Sequence, residues 1–527
     1  MVGKPVPPKP NPPASATPAT YAVAAPPPIV QGAASAAAAS ALRGLDQSGS
    51  RQSTPKSIGP GRLTSLDAFR GFIMMMLAAG GFGIAGFAAI EFPSDVWNAH
   101  NHAWWEKLAF HFNHPDWRSS FDYCKVSFWD LIQPAFMFMV GVAMPFSYAR
   151  RADHQHSFRR LAVHAMIRSV ALVLIGVFLQ SGSHTHTTWE FPNVLCQIGL
   201  GYFFAWILLN FKPVVQASAL VVILIGYWAL FFFNPPPADY DYASVSADAE
   251  KGEVFTGRFA AWSKNANTAF YFDRWLLPKL RTVPDPDPPV ANTKTDAAAD
   301  AVSDKTADTA TNTTGESTED AATDAPAPPA GPGWFRRVFL SNDEPWVPNR
   351  GGYATLNFVP SIGTTILGML CGQLLLAVSL SHWKKLCILI VAAGVCLGLG
   401  VLVDINVCPI VKRIWTPSWV LFSGGYVIGM LALFYLLFDI APLKRLAFPL
   451  VVVGMNSILT YMMGQTLGGW TKDSLIKVHF AGLIEVLFGP KALNPDWYAP
   501  FTFSTGALVV FWLFLYWLHR QKICLRL

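Results

Sequence analysis

The sequence predicts an all-α, polytopic membrane protein of about ten transmembrane helices, five before and five after a large extracytoplasmic insert. Three observations carry this. Charged residues make up only 14% of the 527 while hydrophobic ones make up 52%, and the mean hydropathy is +0.34. Soluble domains carry about 25% charge, so lipid rather than water is the main solvent. Ten apolar runs come near the ~20 residues that a bilayer crossing needs. The basic residues of the short loops then fall almost entirely on one side of those runs.

Residues 1–60 are rich in Ala, Pro and Ser and have no charged segment followed by a long apolar core. They read as a disordered cytoplasmic tail and not as a signal peptide. The region 61–233 holds apolar runs at 72–90, 126–149, 161–180, 194–210 and 214–233. The region 358–527 holds runs at 358–379, 386–403, 418–438, 448–467 and 501–519. In lipid every backbone polar group must be satisfied within the segment, which makes each run a helix. Between the halves lies the insert, 234–357. Its middle, 284–332, is rich in Ala, Asp, Thr and Pro with almost no large apolar residue, so it cannot bury a core and reads as a disordered acidic loop. Its flanks, at Phe255–Trp262 and 270–280, carry aromatics that suit a small packed cap.

Arg62 and Arg70 precede the first run; Arg150, Arg151, Arg159 and Arg160 follow the second. Lys384 and Lys385 follow the sixth, Lys444 and Arg445 the eighth, and Arg520, Lys522 and Arg526 the tenth. All share one side if both termini are cytoplasmic, which in a bacterial cell means a multi-pass protein of the plasma (inner) membrane. The opposite side has one short-loop basic pair, Lys412 and Arg413, an exception that needs a reason.

The net charge of +6 is scattered, and no Gly-rich phosphate loop, RNA-binding signature or zinc-finger spacing occurs, so no nucleic-acid partner is expected. Seven cysteines form no CxxC pair; Cys196, Cys371, Cys387, Cys396 and Cys524 lie in or beside apolar runs, as small buried thiols do. Cys124 and Cys408 would face the same outer side, where a disulfide could join them. His100, His102, His111 and His114 share the loop 91–125, and His184 and His186 the next outer loop. Neither group has recognisable ligand spacing, so no metal is expected. No internal repeat is evident.

The most informative stretch is Phe112-Asn113-His114-Pro115-Asp116-Trp117, in the polar loop after the first run, followed by Asp130 at the mouth of the second. An imidazole titrates near neutral pH, and a carboxylate partner fixes its tautomer and raises its basicity. His114 and Asp130 are therefore the candidate catalytic pair, able to accept, donate or carry an acyl group. Thr64 and Asp67 resemble a capping box opening the first helix. Arg70 just beyond either snorkels to the surface or belongs to an anion site. Arg168 lies inside the third run, where an arginine must face protein or a water-filled cavity, and this favours the anion site. In Gly454-Met455-Asn456-Ser457, Asn456 either bonds across helices or lines a donor path. Lys412-Arg413-Ile414-Trp415 suits an anionic or carbohydrate acceptor, or an interfacial anchor.

Taken in order, several segments resemble the heparan-α-glucosaminide N-acetyltransferase family of transmembrane acyltransferases, over about 62–527 without the acidic insert. They are Arg62-Leu63-Thr64-Ser65-Leu66-Asp67-Ala68-Phe69-Arg70-Gly71, His114-x-x-Trp117, Asp130-Leu131 with Pro134-x-Phe136-Met137-Phe138-Met139-Val140-Gly141, Val194-Leu195-Cys196-Gln197-Ile198-Gly199, Lys412-x-x-Trp415-x-x-Ser418 and Gly454-Met455-Asn456-Ser457-Ile458. The resemblance implies an enzyme that moves an acetyl group from cytoplasmic acetyl-CoA to an extracytoplasmic amino sugar or glycan. A loop histidine, matched by His114, stands at its centre. On this reading Arg70, Arg168 and Asn456 serve the acetyl-CoA side, while Trp117, Lys412 and Trp415 serve the carbohydrate acceptor. The bilayer is the permanent partner, and a homodimer is compatible with it. The alternative is a proton-coupled secondary transporter of a sugar or anion with His114 and Asp130 as relay; a third reading is a non-catalytic scaffold.

Overall fold

Each of the ten apolar runs folds as helix, yet two of them break. The computed structural model describes residues 63–92, 101–114, 117–118, 126–152, 157–182, 184–281, 340, 346–441 and 443–525, all within one unit, 52–527. The expected tail 1–60 and the acidic segment 284–332 lie outside the described residues. In chain order the helices are α1 (Thr64–Ala78), α2 (Ile84–Ala88), α3 (His102–Phe110), α4 (Phe128–Ala152), α5 (Phe158–Ser181), α6 (Val194–Leu209), α7 (Pro213–Phe232) and α8 (Thr268–Leu276). They continue with α9 (Phe358–Leu376), α10 (His382–Asn406), α11 (Pro417–Tyr435), α12 (Phe448–Gly454), α13 (Ser457–Trp470), α14 (Ala481–Phe488) and α15 (Ala499–Arg520). No strand occurs among the described residues.

Seven helices (α4, α5, α7, α9, α10, α11 and α15) are long and apolar enough to cross a membrane, and two bent pairs bring the number to nine. α6, at 16 residues, is the short one; at 1.5 Å per residue it spans about 24 Å of a ~30 Å hydrocarbon core.

The expected first span, continuous over 72–90, is instead α1 and α2 meeting at 46°. Gly80, Gly81, Phe82 and Gly83 between them all have positive φ. The turn has a packing reason, because a Cβ on Gly81 would lie 2.4 Å from the Phe112 ring. The expected ninth span breaks by 80° at Met455-Asn456, where Asn456 leaves helical geometry at φ −124°, ψ 42°. The expected capping box is also replaced. Leu63 occupies the N-cap of α1, with no side-chain bond, and the N–H groups of Thr64 and Ser65 donate to the Asp439 carboxylate at 3.1 and 3.2 Å. Asp439 sits on the widened turn Leu436–Ile440 that ends α11. A carboxylate there satisfies two orphan donors and opposes the positive end of the helix dipole.

Burial sorts the helices into a centre and a rim. In α4, α9 and α11 72, 67 and 61% of the apolar window is buried, against 28% in α5, α7 and α10 and 33% in α15. The rim helices present Val, Ile, Leu and Phe outward, as lipid contact requires. The central pair α4 and α9 touches backbone to backbone. A Cβ on Gly141 would lie 2.0 Å from Thr365 O, and one on Gly368 2.1 Å from Phe138 O. Close approach through small residues is how helices gain contact where lipid removes the hydrophobic drive. Outside the bundle, the aromatic flanks of the insert form a cap. Trp117, Trp262, Tyr227, Phe231, Cys408 and Ile414 share one buried cluster there.

Candidate active site

His114 is held from both sides of its own segment. Ser127 Oγ donates to the carbonyls of Asn113 (2.6 Å) and His111 (3.2 Å), and the Trp129 N–H donates to His111 O at 2.9 Å. The Phe112 ring meets Phe128 and Trp129 edge-on while resting on Gly81. The segment 111–114 is thereby fixed against the start of α4, and the His114 side chain stays 45% exposed.

Asp130, in the first turn of α4, is 5% exposed, and its Oδ1 is shared. His114 Nδ1 lies 2.8 Å from it, and Lys412 Nζ also lies 2.8 Å from it. Lys412 Nζ is 3.3 Å from His114 Nδ1. An ionised carboxylate only accepts, so Nδ1 carries a hydrogen, and in the neutral ring the lone pair is on Nε2. The closeness of Lys412 to Nδ1 then follows from two donors converging on one oxygen. Lys412 stands on the turn Lys412–Ile414, which runs into Trp415 at φ 51°. Three bonds fix that loop: Ile410 N–H to Asp404 (2.7 Å), Tyr227 OH to Ile414 O (3.0 Å) and Asn357 Nδ2 to Arg413 O (2.7 Å). The exceptional basic pair thus has a reason: Lys412 compensates a buried carboxylate, and Arg413 donates to Gly351 O at 3.2 Å.

One cavity opens on this group and a second lies further along α4. The first, of about 480 Å³, takes in His114 and Lys412 together with Trp129, Gln133, Gln180, Asn193, Asn349, Tyr353, Tyr461 and Gln465. Its wall is mostly carboxamides and aromatic rings. The second, of about 460 Å³, is lined by Asp67, Arg70, Arg168, Tyr202, Met455 and Ser457 among others. Along α4 the first cavity uses residues 129–136 and the second residues 136–147, so Phe136 lines both. α1 and α5 divide in the same way, with Met74, Leu77 and Gln180 on the first cavity and Asp67, Arg70 and Arg168 on the second. The Phe136 ring stacks on Tyr461 at 6.4 Å.

The sequence-predicted residues separate accordingly. His114, Asp130 and Lys412 come together, and Arg70 and Arg168 share the other cavity. Arg70 Nη2 donates to Met139 O at 3.4 Å. The Arg168 guanidinium lies over the Tyr202 ring at 4.9 Å, with Nη1 3.3 Å from its hydroxyl and a buried Nε that has no partner. Trp117, Trp415 and Asn456 are not among the cavity-lining residues. Trp117 is buried in the cap, donating to Trp262 O at 3.0 Å, and Trp415 is buried with Nε1 3.3 Å from Thr364 Oγ1. Both ends of the Asn456 amide are taken by main chain, donating to Ile523 O (3.3 Å) and accepting from Leu525 N–H (2.8 Å). Cys408 is a free buried thiol beside Ser418 Oγ, and Cys124 lies outside the described residues. Sequence reasoning missed Tyr353 and Asn349, which come from the C-terminal end of the insert with no local signal. It also gave no role to Phe136, which stood within a quoted motif.

The chain is thus a helical membrane protein whose His–Asp–Lys group opens on a cavity of mixed polar and apolar lining. Compared with protein-family models and with curated proteins, the sequence has no match among either.

Beside the first cavity, Asn349 and Tyr353 also line a small hollow with Glu190 and Asp273. Asp273, on α8, accepts from the Thr355 N–H at 2.9 Å. Burial, helped by the Glu190 charge and opposed by the Thr355 bond, pushes the Asp273 carboxyl up to about 7. Burial likewise raises Glu190 against the pull of Arg281. The unfolded carboxyl titrates near ~4. Between about pH 4 and 7 the folded cap therefore binds the extra proton, so this term favours folding at low pH and is lost as pH rises through about 7. Thermal unfolding at pH 8 and pH 5.5 should show a gain at pH 5.5 that shrinks in Asp273→Asn. An equal gain in both proteins would show that Asp273 is not the group responsible.

Proposed function

We propose that the protein is a transmembrane acetyltransferase that moves an acetyl group from cytoplasmic acetyl-CoA to an amino sugar or other glycan on the far side of the membrane. One observation carries the reading: a cavity with two arginines and a cavity with the His–Asp–Lys group share a single side chain, Phe136. CoA phosphates suit guanidinium groups, which grip them through paired charge-assisted bonds. Asp130 and Met139 are nine residues apart on α4, about 14 Å along the axis. Arg70 binds at the Met139 level. An extended pantetheine arm is comparable to a four- to five-residue extended chain, roughly 15 Å. Phosphates held near Arg70 would thus let the thioester reach the level of His114. The carboxamides and rings of the first cavity suit a hydroxyl-rich acceptor.

In the reaction, His114 Nε2 attacks the thioester carbonyl carbon. The Nε2–C bond forms, the C–S bond breaks, and CoA leaves as a thiolate that takes a proton from water. Asp130 holds Nδ1–H of the acetyl-imidazolium. The acceptor amine or hydroxyl then attacks the acyl carbon, the C–Nε2 bond breaks, and Nε2 takes the acceptor's proton and passes it to water. Protein quenched during turnover of labelled acetyl-CoA would carry label on His114. Turnover with no such label would make His114 a general base for direct transfer, and solute uptake without acetylation would favour the transporter.

Ten crossings with both termini cytoplasmic are part of this proposal, supported by the loop basic residues. Single cysteines at positions 310 and 154 should react with an impermeant thiol reagent from outside and inside respectively. Labelling of both from one side removes the required opposition of the two cavities.

His114→Ala should lower transfer by at least the ~10²–10⁴-fold of a positioned acid–base while acetyl-CoA still binds. Near-normal turnover would hand the role elsewhere.

Arg168→Leu should raise KM for acetyl-CoA and leave the acceptor KM alone, because the lost contact is distant from the reacting bond. Normal donor KM with a lowered melting temperature would make Arg168 structural.

A further inference from the structure

We infer that Lys412 is a positioning residue which shares Asp130 with His114, keeping the imidazole unprotonated and its Nε2 lone pair free for the acyl group. The catalytic consequence rests on the transferase reading; the electrostatic claim is tested apart from it. From the sequence, Lys412 reads as a ligand for the acceptor. Its surroundings point elsewhere. The side chain is 6% exposed, and Nζ is committed to Asp130 Oδ1 at 2.8 Å, the same oxygen that His114 Nδ1 approaches at 2.8 Å.

A carboxylate alone beside an imidazole favours the imidazolium, since opposite charges within ~4–6 Å stabilise each other. An imidazolium has no lone pair and cannot attack a carbonyl carbon. With Lys412 on the same oxygen, Asp130 and Lys412 together carry no net charge. The carboxylate still orients the ring through Nδ1 but no longer pays out its full charge to a proton on Nε2. The ammonium 3.3 Å from Nδ1 also repels a positive ring directly.

The other charged or titratable groups around His114 can be named by element. On its own segment there is His111, three residues back. From α4 there is Asp130, and from the turn Lys412–Ile414 there are Lys412 and Arg413. From the C-terminal end of the insert comes Tyr353, whose ring lies 5.9 Å from Lys412 Nζ and 6.0 Å from the Arg413 guanidinium. Arg413 donates to Gly351 O at 3.2 Å. Residues 115–116 and 119–125 lie outside the described set. Among the described groups, Lys412 is the cation that touches both members of the pair.

The experiment uses the full-length protein in detergent micelles with diethylpyrocarbonate, which reacts with an imidazole only in its unprotonated form. The rate of His114 carbethoxylation is followed by peptide mass spectrometry from pH 5 to 8.5. In Lys412→Met the labelling midpoint should rise by about one pH unit, a roughly tenfold loss of labelling on the acid side. Lys412→Arg, which keeps the charge, should hold the midpoint at its original position. Adding Asp130→Asn to Lys412→Met should bring it back down. Lys412→Gln is read in the same way should the methionine variant not fold. An unmoved midpoint in the neutral variants, or an arginine variant that behaves like methionine, overturns the inference. An acceptor KM that rises in Lys412→Met with the midpoint unmoved would restore the ligand role. Because labelling needs no turnover, failure of the unmodified protein to transfer acetyl would sink the transferase reading while leaving this result to stand or fall by itself.

Discussion

Much of the molecule is organised around one carboxylate placed where water cannot easily reach it. Asp130 sits in the first turn of the most buried long helix, and an ionised carboxylate there requires partners, because an uncompensated buried charge is strongly destabilising. One partner, His114, is 16 residues away in sequence; the other, Lys412, is 282 away. The site therefore exists only when the loop before α11 has closed on the start of α4. The bonds from Asp404, Tyr227 and Asn357 to that loop are what hold it closed. Fold and site depend on the same contact.

The two helix breaks are related to the two cavities. The turn after α1 follows Met74 and Leu77 on the His114 cavity, and the break at Met455-Asn456 borders the cavity of Arg70 and Arg168. Irregular backbone at membrane depth is tolerated where protein or a polar cavity satisfies it. At the first break Gly81 makes room for the Phe112 ring, and so serves the loop that carries His114. At the second, Asn456 is spent on the main chain of 523–525, which places Cys524 and Leu525 in the wall of the cavity.

The helices were legible because hydropathy over twenty residues is a local property, and so was the pairing of His114 with Asp130, which needs only a loop and the helix it enters. Arg70 and Arg168 could be read as facing one cavity because an arginine amid apolar residues has few other places to go. The role of Lys412 was not legible, since a contact spanning 282 residues leaves no pattern in either segment. Trp117 and Trp415 go to the acceptor through the resemblance and, for Trp415, its basic neighbours; both side chains are buried. Thr64 had the right chemistry for a cap, but Asp439 arrives from another helix with two acceptor oxygens and full charge.

Phe136 has an electrical meaning as well as a spatial one. Where two polar cavities approach from opposite ends of a bundle, the low-dielectric layer between them is far thinner than the ~30 Å of the surrounding hydrocarbon. On the transferase reading, in which the two cavities open to opposite faces, a voltage across the bilayer would fall mostly near that ring and its Tyr461 neighbour. A charge crossing there would experience nearly the whole potential, about 2.3 kcal/mol per 100 mV. An uncharged group would cross without electrical work, whichever way the field points.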